Sequence, residues 1–560
     1  MSLFRSRLRA GRLHAVAIGL ALLLACASPS QDPPEQDPAS ESEALREHVE
    51  QVRDDPSFDI SGVRIAARRL IPELYARRGF TRAWTVPAAR EDLLRAIRES
   101  AADGLDPEDY LYSTLERVRA EAEAEPASLD AQVHYELLLS EALIRLFYHV
   151  IFGKVDPKSF DPNWSFTRRV HLEDPASFVQ EAIDSGQLFA RIEREKPQHD
   201  FYRRLKAELA RHRDLATRGG WPELPADATW KLGSGKSASG LRARLVASGD
   251  LAVDAPQGPP EVDAAVEAAV KRFQTNHGLD ADGAVGLSTL AALNVPTEAR
   301  IEEIRVNLER GRWLLHDLDP TFLIVNVAGF EVYYLRDQMV AWSARAVVGR
   351  PYRKTPIFRS TMTYLVFNPT WTVPPSILAH DILPAQRRDR STLAKKGLKV
   401  IDHTGRAVPE ASIDWATATP RNFRYLLRQA PGPENALGRV KFMFPNPYSV
   451  YLHDTPSKAL FERSERAFSS GCIRVENPFE LAVLLLEGQP GWDREAIDRA
   501  VASGETKSVT LARPVPVLVT YWTAWVDRDG VLQLRTDIYG RDAHVAAGLD
   551  AGFRFRVPRS

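Results

Sequence analysis

Over the first half of the chain apolar residues recur every three or four positions; beyond Asp319 they recur every second position. The first spacing lines one face of a helix and the second lines one face of a strand. Residues 65–77 and 135–150 carry the helical stripe, interrupted by loops such as Asp103-Gly104-Leu105-Asp106-Pro107. Residues 60–228 therefore read as a helical scaffold domain, and no catalytic constellation stands out in it. Leu241, Leu245, Val266, Val270 and Phe273 continue the helical spacing through a smaller unit at 229–298, followed by a linker helix at 299–318. From 319 to 545 the pattern is that of a mainly β domain. Residues 322–327 and 331–335 predict a hairpin around Gly329, and 344–348, 363–367, 440–444 and 449–452 predict further strands. The strands at 508–512, 515–522 and 531–535 complete the same domain. A polar stretch at 387–435, punctuated by Gly and Pro, is long for a plain connection and reads as a lid over a groove. The fold class is multidomain α+β.

The N-terminus changes this picture. Arg5, Arg7, Arg9 and Arg12 precede an unbroken apolar run of 11 residues at 15–25, too short for the ~20 residues that cross a bilayer. The run ends in Leu23-Leu24-Ala25-Cys26, which resembles a bacterial lipobox, so residues 1–26 are expected to be a signal with Cys26 as lipid acceptor. The segment 27–59 holds ten acids (32, 35, 37, 41, 43, 47, 50, 54, 55, 59) against two arginines (46, 53) between 31 and 59. So few apolar groups predict a disordered tether. Ala27 in place of Asp leans, by resemblance to lipoprotein sorting rules, toward the outer membrane. A formal net charge of −1 gives no long-range field for nucleic acid, which is not expected as a partner.

Only two cysteines occur, Cys26 and Cys472. With the first spent on lipid, an exported chain keeps one lone thiol in an oxidising compartment, which calls for a reason. Cys472 lies in Ser469-Ser470-Gly471-Cys472-Ile473-Arg474-Val475, 19 residues after His453 in Tyr451-Leu452-His453-Asp454-Thr455-Pro456. A thiol attacks a carbonyl as thiolate, so a base or a positive field must act on it. His453 meets Cys472 if the two lie on neighbouring strands. Gly471 allows a tight turn that leaves N–H groups facing a developing oxyanion. Arg474 shares a strand face with Cys472 and suits a substrate carboxylate. Tyr451 shares a face with His453, where it can donate to the oxyanion or pack. Asp454 alternates to the other face, so a backbone carbonyl is the expected partner of the imidazole. Trp371 in Asn368-Pro369-Thr370-Trp371 either walls the groove or packs in the core.

These two segments resemble the active site of the L,D-transpeptidases, the YkuD-type catalytic domain, with its H-[GD]-T and S-[HS]-G-C-[IV]-R-[LV] motifs. Ser470 stands where many members carry His, so the base role falls on His453 alone. With the helical region and the small unit, this variant is similar to the large YcbB-like branch. Phe273-Gln274, Gly278-Leu279, Asp282-Gly283 and Gly286 in the small unit resemble the peptidoglycan-binding helical module. The resemblance implies catalysis by Cys472, His453, Gly471 and Ser470, and substrate contact by Arg474, Tyr451 and Trp371. It implies ping-pong acyl transfer on a peptidoglycan stem peptide, with glycan held by the module, the membrane reached through the lipid, and other cell-wall enzymes open as partners. The same thiol with water as acceptor would be a carboxypeptidase or hydrolase; a chain with its chemistry lost would be a wall-binding scaffold. A serine penicillin-binding enzyme needs S-x-x-K, and no serine here is followed three places on by lysine. A zinc amidase needs clustered ligands, and H-E-x-x-H is absent, so neither metal nor cofactor is expected. Gly233-Ser234-Gly235-Lys236-Ser237 ends like a phosphate loop, but Trp230 stands where the first glycine belongs.

Overall fold

The computed structural model describes residues 38–124, 128–159, 161, 164, 173–253, 261–316 and 318–555. Cys26, the signal and residues 27–37 lie outside them. The second half of the expected tether differs from expectation: Pro38–Asp54 is a helix, and its Leu45, Val49 and Val52 are buried in the helical domain. Counting acids hid this, because three apolar residues spaced by three and four make a narrow stripe. Full burial of each contributes roughly 1.5–3 kcal/mol, enough to offset much of the ordering cost.

The helical domain is built on Leu129–Phe152, which is buried along most of its length. Its buried carboxylates are matched: Glu141 accepts the N–H groups of Ala66 and Ala67 at 2.9 Å each, and Glu136 accepts the Tyr75 hydroxyl at 2.9 Å. A two-stranded ribbon, β1 (Asp59–Ile60) and β2 (Val63–Arg64), lies between the first two helices. The expected linker at 299–318 is instead a load-carrying element. The helix Thr297–Leu314 places Val306 in the core of the helical domain, and Ile304 and Leu308 in the core of the β domain. Arg312 is fully buried beside Glu309 and donates to the Asp103 carbonyl at 2.8 Å and the Tyr202 hydroxyl at 3.0 Å. The C-terminal helix Asp542–Asp550 sends Val545 and Leu549 into the helical-domain core, so the chain's last helix returns to its first domain.

The small unit has its own core of Trp230, Leu241, Leu245, Val266, Val270, Phe273, Val285 and Leu290. Gln274, in the resembling motif, is buried. Its Nε2 donates to Asp282 at 2.8 Å and to the Ala284 carbonyl at 2.9 Å, and its Oε1 accepts the Gly283 N–H at 2.8 Å. The motif thus fixes a turn.

The β domain is a sheet that closes on itself. Its strands are β3 (Phe322–Asn326), β4 (Glu331–Arg336), β5 (Met339–Gly349), β6 (Phe358–Phe367), β10 (Val440–Met443), β11 (Leu452–His453), β12 (Ala467–Ser469), β13 (Ile473–Val475) and β14 (Lys507–Thr520). The order is β12-β5-β13-β11-β10-β6-β14-β3-β4, and β4 pairs again with β5. The two strands expected at 508–522 are one strand, whose register shifts between Thr510 and Val515, around Pro514. Proline cannot donate to a ladder, so a bulge there is where such a residue fits. Leu323, Phe367, Phe442, Leu452, Ile473 and Val517 fill the interior. The strands β15 (Ala524–Val526) and β16 (Leu532–Leu534) form a separate ribbon.

The insertion is a small folded body. Strands β7 (Trp371–Thr372), β8 (Leu398–Ile401) and β9 (Leu426–Gln429) pair in the order β7-β9-β8. Val373, Leu383, Leu393, Val400, Trp415 and Leu427 give it a hydrophobic core of its own. It therefore begins near Trp371, earlier than the expected 387. Trp371 is partly buried against this core.

Candidate active site

Interior packing fixes the site's face. Phe442, Leu452 and Ile473 point into the closed sheet, so their neighbours along each strand point out of it. Register then sets one row across three strands. Lys441 on β10 opposes His453 on β11, and His453 opposes Arg474 on β13. Cys472, two residues before Arg474, and Tyr451, two before His453, take the same side. Cys472 and His453 thus stand on adjacent strands, as expected, and the Ile473 N–H donating to the Tyr451 carbonyl at 3.0 Å fastens the two strands together.

The turn that presents the thiol is held from several sides. Gly471 has φ +116°, a conformation that a side chain resists. The Ser469 hydroxyl donates to the Cys472 carbonyl at 2.5 Å and accepts the Gly471 N–H at 3.1 Å. The Gly471 N–H is thus engaged within the turn rather than free to face an oxyanion. The Thr355 hydroxyl donates to the Gly471 carbonyl at 2.9 Å and accepts the Gly349 N–H at 2.9 Å. Tyr539 braces that loop, donating to the Gly349 carbonyl at 2.6 Å and accepting the Thr355 N–H at 3.0 Å. Ser470 is exposed, and its hydroxyl accepts from Arg353 Nη1 at 2.9 Å. Arg353 also makes a two-toothed ion pair with Asp381 of the insertion, at 2.5 and 3.0 Å. One guanidinium therefore joins the Cys472 turn to the folded insertion.

Cys472 is partly exposed, and its Sγ lies 3.7 Å from the Ser449 carbonyl. Burial pushes its thiol pKa up, while the Tyr451 backbone N–H, Lys441 and Arg474 pull it back down. His453 is 3 % exposed. Its Nδ1 donates to the Asp454 carbonyl at 2.5 Å, which leaves Nε2 unprotonated in the neutral ring and able to take a proton. The backbone carbonyl expected for this role is the one found. The Asp454 carboxylate turns away, accepting the Arg439 N–H at 2.9 Å and the Lys458 ammonium. Burial, with Arg474 next, lowers the His453 pKa to about 3, so the ring is a neutral base at ordinary pH.

Arg474 is half-buried, and among the described residues its guanidinium has no carboxylate or hydrogen-bond partner; its Nε is fully enclosed. A cation left this way near Cys472 is free to pair with an anionic ligand group. Lys441 is half-buried too, with its Nζ 3.6 Å above the Tyr451 ring. Sequence reading missed Lys441, Arg353, Asp381 and Ser469. Lys441 had a legible signal, since it occupies the alternating outward position of a strand that the reading identified. Arg353 and Asp381 depend on contacts between distant segments, and Ser469 acts through the conformation of the turn itself. Among the described residues no cluster of His, Cys, Asp and Glu has the arrangement of a metal site.

Comparison with known proteins agrees with this layout. Residues 320–492 match the family model of the L,D-transpeptidase catalytic domain, 236–293 that of a "putative peptidoglycan binding domain", and 69–209 that of a scaffold domain. The catalytic match ends at 492, yet β14 lies between β6 and β3, so the closed sheet needs residues beyond it. A curated protein of Haemophilus influenzae, named "Putative L,D-transpeptidase", is 36% identical over 223 residues, 40% of this chain and 45% of that protein. The chain thus matches less than half of that relative's length. A solved structure titled "Structure of the Ldtfm-avibactam carbamoyl enzyme" aligns over 56% of this chain and 98% of its own, at 13% identity and a TM-score of 0.18, too weak to carry an argument.

Proposed function

We propose that this chain, whose residues 320–492 are an L,D-transpeptidase catalytic domain, transfers acyl groups between peptidoglycan stem peptides through a thioester on Cys472. The observation that supports the reading is the row on β10, β11 and β13, whose face carries a partly exposed thiol one strand away from a neutral imidazole of fixed tautomer. In the first half-reaction the Cys472 sulfur attacks the carbonyl carbon of the stem's third residue, and His453 Nε2 takes the thiol proton. The oxyanion that forms faces the Cys472 N–H. Its collapse breaks the C–N bond, and the imidazolium returns the proton to the leaving amine of the terminal D-alanine. In the second half an amine of a neighbouring stem attacks the thioester and loses its proton to His453, and the thiol leaves.

Arg474 is assigned to a substrate carboxylate, and Tyr451 to a wall of the groove beside it. Gly471 and Ser470 are assigned to the turn, by conformation and by the link to Arg353. Trp371 is assigned to the insertion that covers the groove. The module at 229–298 is assigned to holding glycan or stem, which raises the local substrate concentration. Cys26 is assigned to a lipid anchor that places the chain in the periplasm, on the outer membrane. No helix among the described residues is long and apolar enough to cross a membrane.

A muropeptide digest of sacculi incubated with the protein tests the reading. New cross-links together with loss of terminal D-alanine are expected. Trimmed stems without cross-links would make water the acceptor, and an unchanged profile would make the chain a wall-binding scaffold.

A further inference from the structure

A thiol and an imidazole side by side suggest a resting ion pair, with thiolate and imidazolium stabilising each other. The register here argues otherwise. His453 is flanked in its own row by Lys441 on one side and Arg474 on the other. An imidazolium there would be a third positive charge between two fixed ones, on a ring that is nearly closed to water. The Asp454 carboxylate pulls the other way, but it is itself held by the Arg439 N–H and Lys458, and burial with Arg474 outweighs it.

Lys441 is the less expected of the two cations. Among the described residues its ammonium has no carboxylate partner, and it rests on the face of the Tyr451 ring. A half-buried ammonium loses hydration, and an aromatic face returns only about 0.5–2 kcal/mol. A strand position on this face would more cheaply hold Thr or Gln. The charged groups facing it are Cys472 and Arg474 from β13 and His453 and Tyr451 from β11; Val366, its partner on β6, is apolar. Arg350, on the loop after β5, faces Arg474 from the far side and donates only to the Tyr352 hydroxyl, at 3.2 Å. The one group in this set that can become an anion at moderate pH is the thiol.

We propose that the charge partner of the Cys472 thiolate in the resting site is the Lys441–Arg474 pair, with His453 neutral between them until it takes the thiol proton as the sulfur attacks substrate. Lys441 then acts on the reaction through Cys472, as a positioning residue for charge. The inference rests on Cys472 being the nucleophile, but its test needs no peptidoglycan, so it can fail while acyl transfer stands, and the reverse.

The test is the pH–rate profile for iodoacetamide alkylation of the full chain, with the Cys472 peptide quantified separately from Cys26 by mass spectrometry. Lys441→Met is expected to move the inflection up by about one pH unit, an about tenfold slower reaction on its acid side. Lys441→Arg should restore the wild-type profile, which a purely packing role for the side chain would not. His453→Gln should leave the inflection within about 0.3 units of wild type, since the neutral ring contributes no charge. Should Lys441→Met not fold, Arg474→Gln carries the same test from the other flank and is expected to shift the inflection upward too. Profiles of folded Lys441→Met and Arg474→Gln that superpose on wild type, or a larger upward shift in His453→Gln than in either, would overturn the proposal.

Discussion

Two histidines of this chain are held in the same way and have different neighbours. His453 and His277 each donate from Nδ1 to a nearby backbone carbonyl, Asp454 at 2.5 Å and Phe273 at 2.8 Å, and each has its pKa lowered chiefly by loss of solvent. His277, in the peptidoglycan-binding-like unit, stacks on Phe273 with ring centroids 3.7 Å apart. Its other neighbours are Arg300, Arg244 and Arg535, and no nucleophile is among them. His453 sits across a strand pair from Cys472. A depressed basicity and a fixed tautomer therefore do not mark a catalytic histidine. The group that the free nitrogen can serve does.

The sharpest way to break this comparison is at the thiol. Cys472→Ala is expected to reduce cross-link formation to background while the melting temperature stays within a few degrees of wild type; near-normal cross-linking would remove the thiol from the chemistry. His453→Gln keeps the donation to Asp454 in one rotamer but loses the base, and about a 10²–10⁴-fold fall in turnover is expected. His277→Gln should leave turnover unchanged and cost about 1–2 kcal/mol of stability, read by urea unfolding, since stacking and burial are all that it loses. A fall in turnover on soluble muropeptides for that variant would mean the two units are coupled.

The same pair makes a pH statement. Both folded-state pKa values lie below the ordinary 6.5, so the unfolded chain takes up the proton first. Their contribution is fully present above about 6.5 and is lost as pH falls toward the folded values. Each Gln variant should flatten the fall of stability with acid by at most about 1.4 kcal/mol per pH unit, measured by urea unfolding between about pH 6.5 and 4. An unchanged slope in His453→Gln would mean that the ring is not neutral in the folded protein. The smallest effect is expected at the ion pair with the insertion. Asp381→Asn should raise KM several-fold with little change in melting temperature, because the insertion has its own core and the pair is near the surface. Equal losses in both would make the insertion part of the main fold.

The contrast also shows what was legible in the chain. The change from helical to alternating spacing near Asp319 located the β domain, and the interior residues of β3, β6 and β10 follow it. Cys472 and His453 were legible because the turn residues around them are unusual as types. The helix at Pro38–Asp54 was hidden by its acids, since a stripe of Leu45, Val49 and Val52 becomes decisive only when a second surface is there to cover it. The shared role of Thr297–Leu314 was hidden for a related reason. Its buried Arg310, Arg312 and Glu309 read as solvated charges until partners more than 150 residues away satisfy them, as Asp542, Asp103 and the Val155 N–H do. The Arg353–Asp381–Ser470 chain likewise joins three segments, and no local pattern announces it.

Acyl transfer through Cys472 passes through a covalent adduct, which mass spectrometry of the Cys472 peptide detects. The full chain is incubated with a soluble disaccharide tetrapeptide, quenched in acid and digested. An adduct on Cys472 equal to the donor minus one alanine, removed by hydroxylamine and missing in His453→Gln at early times, is the predicted result. A stem adduct on another residue, or cross-linked product formed while Cys472 is blocked by alkylation, would contradict the account.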